Sequence, residues 1–181
     1  VQNSASATIT QPLTGLADGD LVLNEVNVGA AAASDDTASS TQASNGDTIL
    51  SSQKEASGIA VAAAINKIAD DTGVKALVNE TVVTGGDGSG FDSSGTGAAY
   101  RAGDTGQLYI NGVDLGQISL KDDGTGTIDE LGTRQNTIDL INAKAGQTGV
   151  IAEDNGESIT LKAEDGRNIS VAIDNDDANN V

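Results

Sequence analysis

The chain has 181 residues and a formal net charge of −18, with 27 Asp and Glu against 9 Lys and Arg. It holds 0 Cys and 0 His, and aromatics make up 2% of it, which excludes disulfides, thiolate chemistry, Ser-His-Asp and Cys-His arrangements and the usual zinc and iron centres. The acidity and the lack of stacking rings also exclude nucleic acid, whose phosphates need a positive footprint, and an anionic membrane surface.

A chain of this length can bury roughly 70% of the surface its unfolded form exposes, so a core is feasible without metals. That core has to be aliphatic and rich in Ala, which suits two thin sub-domains better than one thick globule. Residues 1–18 are rich in Ser, Thr and Ala, with a short strand expected at 7–10. Residues 21–28 alternate as a strand, and residues 29–47 offer little to bury and read as loop. A helix follows: Ser52 and Glu55 form a capping box, Ala56, Val61, Ala62, Ile65, Ile68 and Ala69 recur at helical spacing, and Gly73 stands where a left-handed terminating residue belongs. Short strands are expected at 74–78 and 81–84.

Residues 85–106 contain eight glycines in twenty-two positions and read as a linker or long loop. Strands at 108–110 and 113–115 flank Asn111-Gly112, a pair suited to the positive φ angles of a type I′ hairpin turn. Thr127 and Glu130 offer a second capping box, Leu131, Ile138, Ile141 and Ala145 a helical stripe, and Gly146 a stop. The remainder reads as a three-strand meander, 150–153, 158–163 and 168–173, with turns at Asn155-Gly156 and Asp165-Gly166. The expected class is α+β, two small sub-domains that are each a short antiparallel sheet with one packed helix. Their limits are 1–84 and 107–181, joined by 85–106.

The pattern occurs twice. Leu21-Val22-Leu23-Asn24-Glu25-Val26-Asn27-Val28-Gly29 returns as Leu108-Tyr109-Ile110-Asn111-Gly112-Val113-Asp114-Leu115-Gly116. Likewise Ala64-Ile65-Asn66 with Thr72-Gly73-Val74 returns as Leu140-Ile141-Asn142 with Thr148-Gly149-Val150, at the same internal spacing. Together with Ile159-Thr160-Leu161-Lys162-Ala163-Glu164-Asp165-Gly166-Arg167-Asn168-Ile169, the second unit resembles the hook IN motif of the bacterial flagellin family, found in the variable outer part of flagellins and in some hook-associated proteins. The match covers most of residues 104–173. In the first unit, over 19–78, Glu25 stands where the turn glycine is expected and no Asp-Gly-Arg-Asn segment follows. The repeat and the resemblance single out Asn24, Ile65, Asn66, Gly73, Asn111, Gly112, Ile141, Asn142, Gly149, Asp165 and Gly166 as structural motif residues.

Other motifs are weak. Ser51-Ser52-Gln53-Lys54 matches Ser-x-x-Lys, but neither Ser-Asp-Asn nor Lys-Thr-Gly accompanies it. With 27 acids in the chain, paired carboxylates arise by chance. Acidic turns at 85–92, 122–124 and 174–177 fit no EF-hand loop, and the first departs from a calcium nonapeptide at Gly90. No Walker loop is present. Asn79-Glu80-Thr81 and Asn168-Ile169-Ser170 match the N-glycosylation sequon, which acts only in a secretory host. Ser39, Ser40, Thr41, Ser93, Ser94 and Thr96 are candidates for O-linked sugar by loop position.

The resemblance implies a structural role: the solvent-facing part of a flagellin, extracellular on the flagellar filament, exported unfolded through the flagellum's own channel. Residues 1–20 lack the basic start and apolar stretch of a secretory signal. The partners it implies are other flagellin subunits, met through terminal helical regions outside these residues, and self-contacts between outer domains. No enzyme activity, cofactor, metal, nucleic acid or membrane insertion is expected. Two alternatives stand beside this reading: the outer part of a hook-associated or filament-cap protein, and a calcium- or carbohydrate-binding module of an adhesin.

Overall fold

The computed structural model describes residues 15–40, 54–86 and 102–174. The expected strand at 7–10 and the expected cap Ser52 lie outside them.

The first half opens with a hairpin rather than one strand. Val22–Leu23 (β1) pairs antiparallel with Val26–Asn27 (β2), in register Val22↔Asn27 and Leu23↔Val26. Asn24 and Glu25 reverse the chain at φ 49° and 69°, successive positive values that match a type I′ turn. Gly58–Asn66 (α1) starts at Ser57, whose Oγ accepts the Ala60 N–H at 3.1 Å, while Glu55 lies in the 3-10 turn before it. After a break at Lys67 and Ile68 comes Ala69–Thr72 (α2), and Gly73 ends it at φ 69°, its N–H donating to the Ala69 carbonyl at 2.8 Å.

Val28, Ala31, Ala60 and Ala64 form the first core, with Leu16, Leu21, Leu23, Val61, Ile65 and Ile68 packed around it. Ile65 is half-buried: the innermost helix positions are held by alanines, and the isoleucine sits at the margin. Residues 74–78 form no strand, and Leu77 is 83% exposed. The chain continues extended into Thr81–Thr84 (β3).

In the second half Thr105–Ile110 (β4) and Val113–Ser119 (β5) make the expected hairpin, with Asn111 and Gly112 at φ 51° and 76°. The register passes from Leu108↔Gly116 to Tyr109↔Asp114, which leaves Leu115 as the bulged residue. The bulge turns Leu115 into the core. Glu130–Ala143 (α3) is capped by Asp129, whose Oδ1 accepts the Gly132 N–H at 2.9 Å, and not by Thr127. A carboxylate is the stronger cap at the positive end of a helix. Gly146 lies inside the short Ala145–Thr148 (α4), and Gly149, at φ 69°, supplies the left-handed stop.

Ile151–Asp154 (β6), Ile159–Ala163 (β7) and Val171–Asp174 (β8) do not form a meander. The sheets run β3-β7-β6 and β5-β4-β8. β8 crosses to β4, pairing Ile110↔Val171 and Leu108↔Ile173, and β3 takes the vacated edge of β7, from Thr81↔Ala163 to Thr84↔Thr160. Two contacts explain the exchange. Gly166, at φ 75°, lies so close to Val78 and the Asn79 carbonyl that a Cβ there would overlap both, so residues 78–79 lead β3 onto the β7 edge. Asn111 meanwhile holds Ser170 beside β4 through its backbone N–H to the Ser170 carbonyl and its Oδ1 to the Ser170 N–H, both 2.9 Å.

α3 lies on β5 and β6, one strand from each sheet. Leu108, Ile110, Leu115, Ile138, Ile141, Val150, Ala152, Leu161 and Ala163 form the core beneath it. The fold is α+β: the described residues form four α-helical segments and three small antiparallel sheets. The cores of the two halves are separate clusters, yet the first half gives its last strand to a sheet of the second.

Candidate functional site

The repeated residues form the same hydrogen-bonded clasp twice. In the first half, Asn24 Nδ2 donates to the Thr72 carbonyl at 2.8 Å, fastening the hairpin tip to the end of α2. Asn66, at the end of α1, faces Ala76 with both amide groups: Nδ2 donates to its carbonyl at 3.0 Å and Oδ1 accepts its N–H at 2.8 Å. In the second half, Asn111 Nδ2 donates to the Thr148 carbonyl at 2.8 Å, and Asn142 meets Ala152 at 3.0 and 2.8 Å. Thr72 and Thr148 complete the pattern. Each hydroxyl reaches back to a carbonyl four residues earlier and accepts the N–H two residues on, at 3.2 Å from Val74 and 3.1 Å from Val150.

An Asn can do this because its planar amide carries donor and acceptor side by side, matching the N–H and C=O of one backbone residue. The clasp satisfies backbone groups that the end of a helix would otherwise leave open. The roles of Thr72 and Thr148 were legible in the sequence only as part of the repeat.

The second half adds a lock. Arg167 pairs with Asp165 through Nη2 at 2.6 Å, donates from Nη1 to the Thr148 carbonyl at 3.2 Å, and lies against Gly149 where a Cβ would stand. The Thr148 carbonyl thus accepts from both Asn111 and Arg167. The Arg167 guanidinium is the largest influence holding the Asp165 carboxyl below its usual range, and Asp165 in turn raises Arg167.

The loop of the first half meets this segment. Ser39 Oγ accepts the Asn168 N–H at 2.8 Å, and Asp36, 1% exposed, turns Oδ1 to the Ala38 and Ser39 N–H groups at 2.9 and 2.8 Å. Burial pushes the Asp36 carboxyl up, but bonds from Ser39, Ser57 and Ala38 outweigh it and leave the group below its usual range.

Ser39 is therefore corrected as a candidate for sugar attachment. It is 4% exposed and its oxygen is engaged, so a glycan could not be accommodated without undocking the loop. Ser40 is half-buried. Thr41, Ser93, Ser94 and Thr96 lie outside the described residues, as does most of the acidic turn at 85–92 and all of 175–177. Asp122 and Asp123 point their carboxylates at their own loop, to Gly124, Thr125 and Gly126 N–H groups between 2.6 and 3.1 Å. Among the described residues no group of three or more acidic side chains is placed to hold a metal ion, and no helix is long and apolar enough to cross a membrane.

A cavity of about 170 Å³ opens beside the first turns of α3, lined by Leu120, Ile128, Thr133, Thr137 and Ile159 among others. Ligand pockets run from roughly 300 to 1,000 Å³, so this one is undersized. Arg134 at its rim is paired with Asp154 at 2.9 Å.

The groups whose pKa departs from the ordinary value all shift toward their charged form. Asp36, Asp123, Asp154 and Asp165 are lowered, and Lys162 and Arg167 are raised. A general acid or base is tuned toward neutrality. These groups are all held away from it, as in ion pairs and turns. No protein-family model and no curated protein matches this sequence.

Proposed function

We propose that this chain is the solvent-facing outer region of a flagellin, structural and displayed on the surface of a bacterial flagellar filament. The observation that carries the proposal is the duplicated clasp: two hairpin-and-helix units with the same bonds at Asn24/Asn111, Asn66/Asn142 and Thr72/Thr148, built from the residues by which the sequence resembles the hook IN motif. A net charge of −18 supports it, because a strongly acidic surface stays hydrated and repels its neighbours at high local density. The titratable groups whose values depart from the ordinary are tied into turns and ion pairs, which suits a scaffold rather than a reaction centre. On this reading export runs through the flagellar channel, the partners are other flagellin subunits joined through terminal segments, and the outer units govern surface charge, antigenicity and glycan presentation.

The test is to remove residues 1–181 from the parent gene, join the ends by a short linker, and examine filaments and swimming. Filaments should still form. Loss of assembly with export intact would overturn the decorative role. Calcium added to the isolated chain should leave its melting temperature unchanged; a rise would favour a binding module, since a ligand specific for the folded state stabilises by mass action.

A further inference from the structure

Two Asn-Gly pairs lie among the described residues, and the fold treats them in opposite ways. An asparagine before glycine is chemically labile, because the glycine nitrogen, unshielded by a Cβ on its own residue, can attack the side-chain amide carbon. Asn111 is shielded from that reaction. It is buried, its Nδ2 is bound to the Thr148 carbonyl at 2.8 Å and its Oδ1 to the Ser170 N–H at 2.9 Å. Both partners belong to distant segments and lie away from water, so cyclisation would have to pull apart contacts between segments, whereas the bonds of Asn155 stay within its own exposed hairpin.

Asn155 lies exposed in the loop between β6 and β7. Each atom that cyclisation involves already has a suitable neighbour. The nucleophile, Gly156 N, donates its N–H to Asp154 Oδ1 at 2.8 Å. The amide oxygen, Asn155 Oδ1, accepts N–H groups from Glu157 at 3.0 Å and Ser158 at 2.6 Å. The leaving nitrogen, Nδ2, donates to Ser158 Oγ at 2.9 Å and Thr160 Oγ1 at 3.3 Å.

We propose that Asn155 is a self-modification site, losing ammonia in the folded protein through a cyclic imide with Gly156 and ending as aspartate or isoaspartate. Gly156 N forms a bond to Asn155 Cγ, and its proton passes by way of the Asp154 carboxylate to the amide nitrogen. The Cγ–Nδ2 bond then breaks and ammonia departs. Water opens the imide at either carbonyl, giving the two acids. The two backbone N–H groups on Oδ1 stand where negative charge develops as Cγ becomes tetrahedral, which is the arrangement that stabilises acyl-transfer intermediates.

Asp154 is kept ionised by the Gly156 N–H and by Arg134, whose Nε lies 2.9 Å away. It is a weak base for that reason, so it acts by positioning the N–H and passing the proton on. Aspartate would preserve the acceptor on which the turn depends, whereas isoaspartate would lengthen the backbone between two paired strands. Either product adds a negative charge at a hairpin tip.

The full chain, incubated folded at neutral and mildly alkaline pH and then digested with trypsin, tests this by peptide mass spectrometry. The peptide 145–162 carries Asn155 and the peptide 102–121 carries Asn111. The first should acquire the amide-to-acid mass gain and become a substrate for isoaspartyl methyl transfer, while the second stays unchanged until the protein is unfolded in urea. Asn155→Gln, which cannot close the five-membered ring, should abolish the gain in 145–162. Asp154→Asn should slow it severalfold with the melting transition retained. Equal rates for the two peptides in the folded protein would overturn the proposal, as would a gain in 145–162 that survives Asn155→Gln.

Discussion

Asn111 donates its side-chain amide to the Thr148 carbonyl at 2.8 Å, and thirty-seven residues of chain, including the whole of α3, are closed by that bond. Asn24 makes the equivalent bond to Thr72, also 2.8 Å, but from an exposed position. Burial should separate the two. Asn111→Ala leaves the Ser170 N–H without its acceptor away from water and the Thr148 carbonyl with Arg167 alone, and should cost about 1 to 3 kcal/mol. Asn24→Ala allows water to take over and should cost less than about 1 kcal/mol. Urea titration of both variants measures this; equal losses would show that the clasp is not graded by burial.

Gly73 and Gly149 end their helices at the same φ, 69°, and differ in what surrounds them. At Gly73 nothing lies within 4 Å of a prospective Cβ, so Gly73→Ala meets only the left-handed strain, about 1 to 2 kcal/mol. At Gly149 the same Cβ would displace the Arg167 guanidinium from the Thr148 carbonyl. Gly149→Ala should therefore cost more than Gly73→Ala by about one hydrogen bond to a charged group, 1.5 to 3 kcal/mol. Combined with Arg167→Ala, the excess should vanish, since the group to be displaced is gone.

The positions of the clasp residues were legible in the sequence because they are local and repeated, an Asn at a hairpin tip, an Asn at a helix end and Thr-Gly six residues after it, but the bonds among them were not. Class, the Asn111-Gly112 turn and the Gly73 stop follow from the same short-range chemistry. The caps were misplaced because Ser, Thr and Asp crowd each helix start, and only three-dimensional placement decides that Ser57 and Asp129 do the capping. The meander failed for a different reason. Three alternating segments joined by tight turns specify strands but not partners, and the closeness of Gly166 to Val78 depends on chain nearly ninety residues away. Ser39 shows the same limit. Its loop composition reads as surface, and nothing near it in sequence announces the bond to Asn168.

Acid should weaken the protein through its paired carboxylates. Asp165, held down chiefly by Arg167, and Asp154, held down by the Gly156 N–H and Arg134, titrate below the ordinary value of 3.8 when folded. The unfolded chain then binds protons that the folded one refuses. Their stabilisation is fully present above that ordinary value and is lost as pH falls through the lower folded values. Lys162, raised by Glu153 from 10.5, behaves oppositely: its contribution is present below 10.5 and disappears as pH rises through the folded value. Stability should be flat between these limits and fall outside them. Arg167→Met removes the largest influence on Asp165, so the acid limb of a plot of urea midpoint against pH should become shallower; an unchanged limb would show that Arg167 does not govern it.

The last prediction concerns how the two halves are coupled. β3 is the only strand of the first half that joins a sheet of the second among the described residues, and it does so along four register pairs with β7. Gly85 N donates to the Ile159 carbonyl at 2.9 Å, continuing the ladder. Donors that face the same neighbour recur every second residue in an antiparallel pair, so the Val83 N–H also points at β7. Proline at that position removes the donor and does not belong within a sheet ladder. Val83 is largely exposed, so little apolar burial is lost with it. Val83→Pro should therefore release the first half from the second without emptying either core. Calorimetry of the natural chain should show one cooperative transition, and that of Val83→Pro two, the lower belonging to the small alanine-rich core around Ala60 and Ala64. A single unshifted transition in the variant would mean that the contacts of Ser39 with Asn168 and of Val78 with Gly166 hold the halves together and that β3 does not.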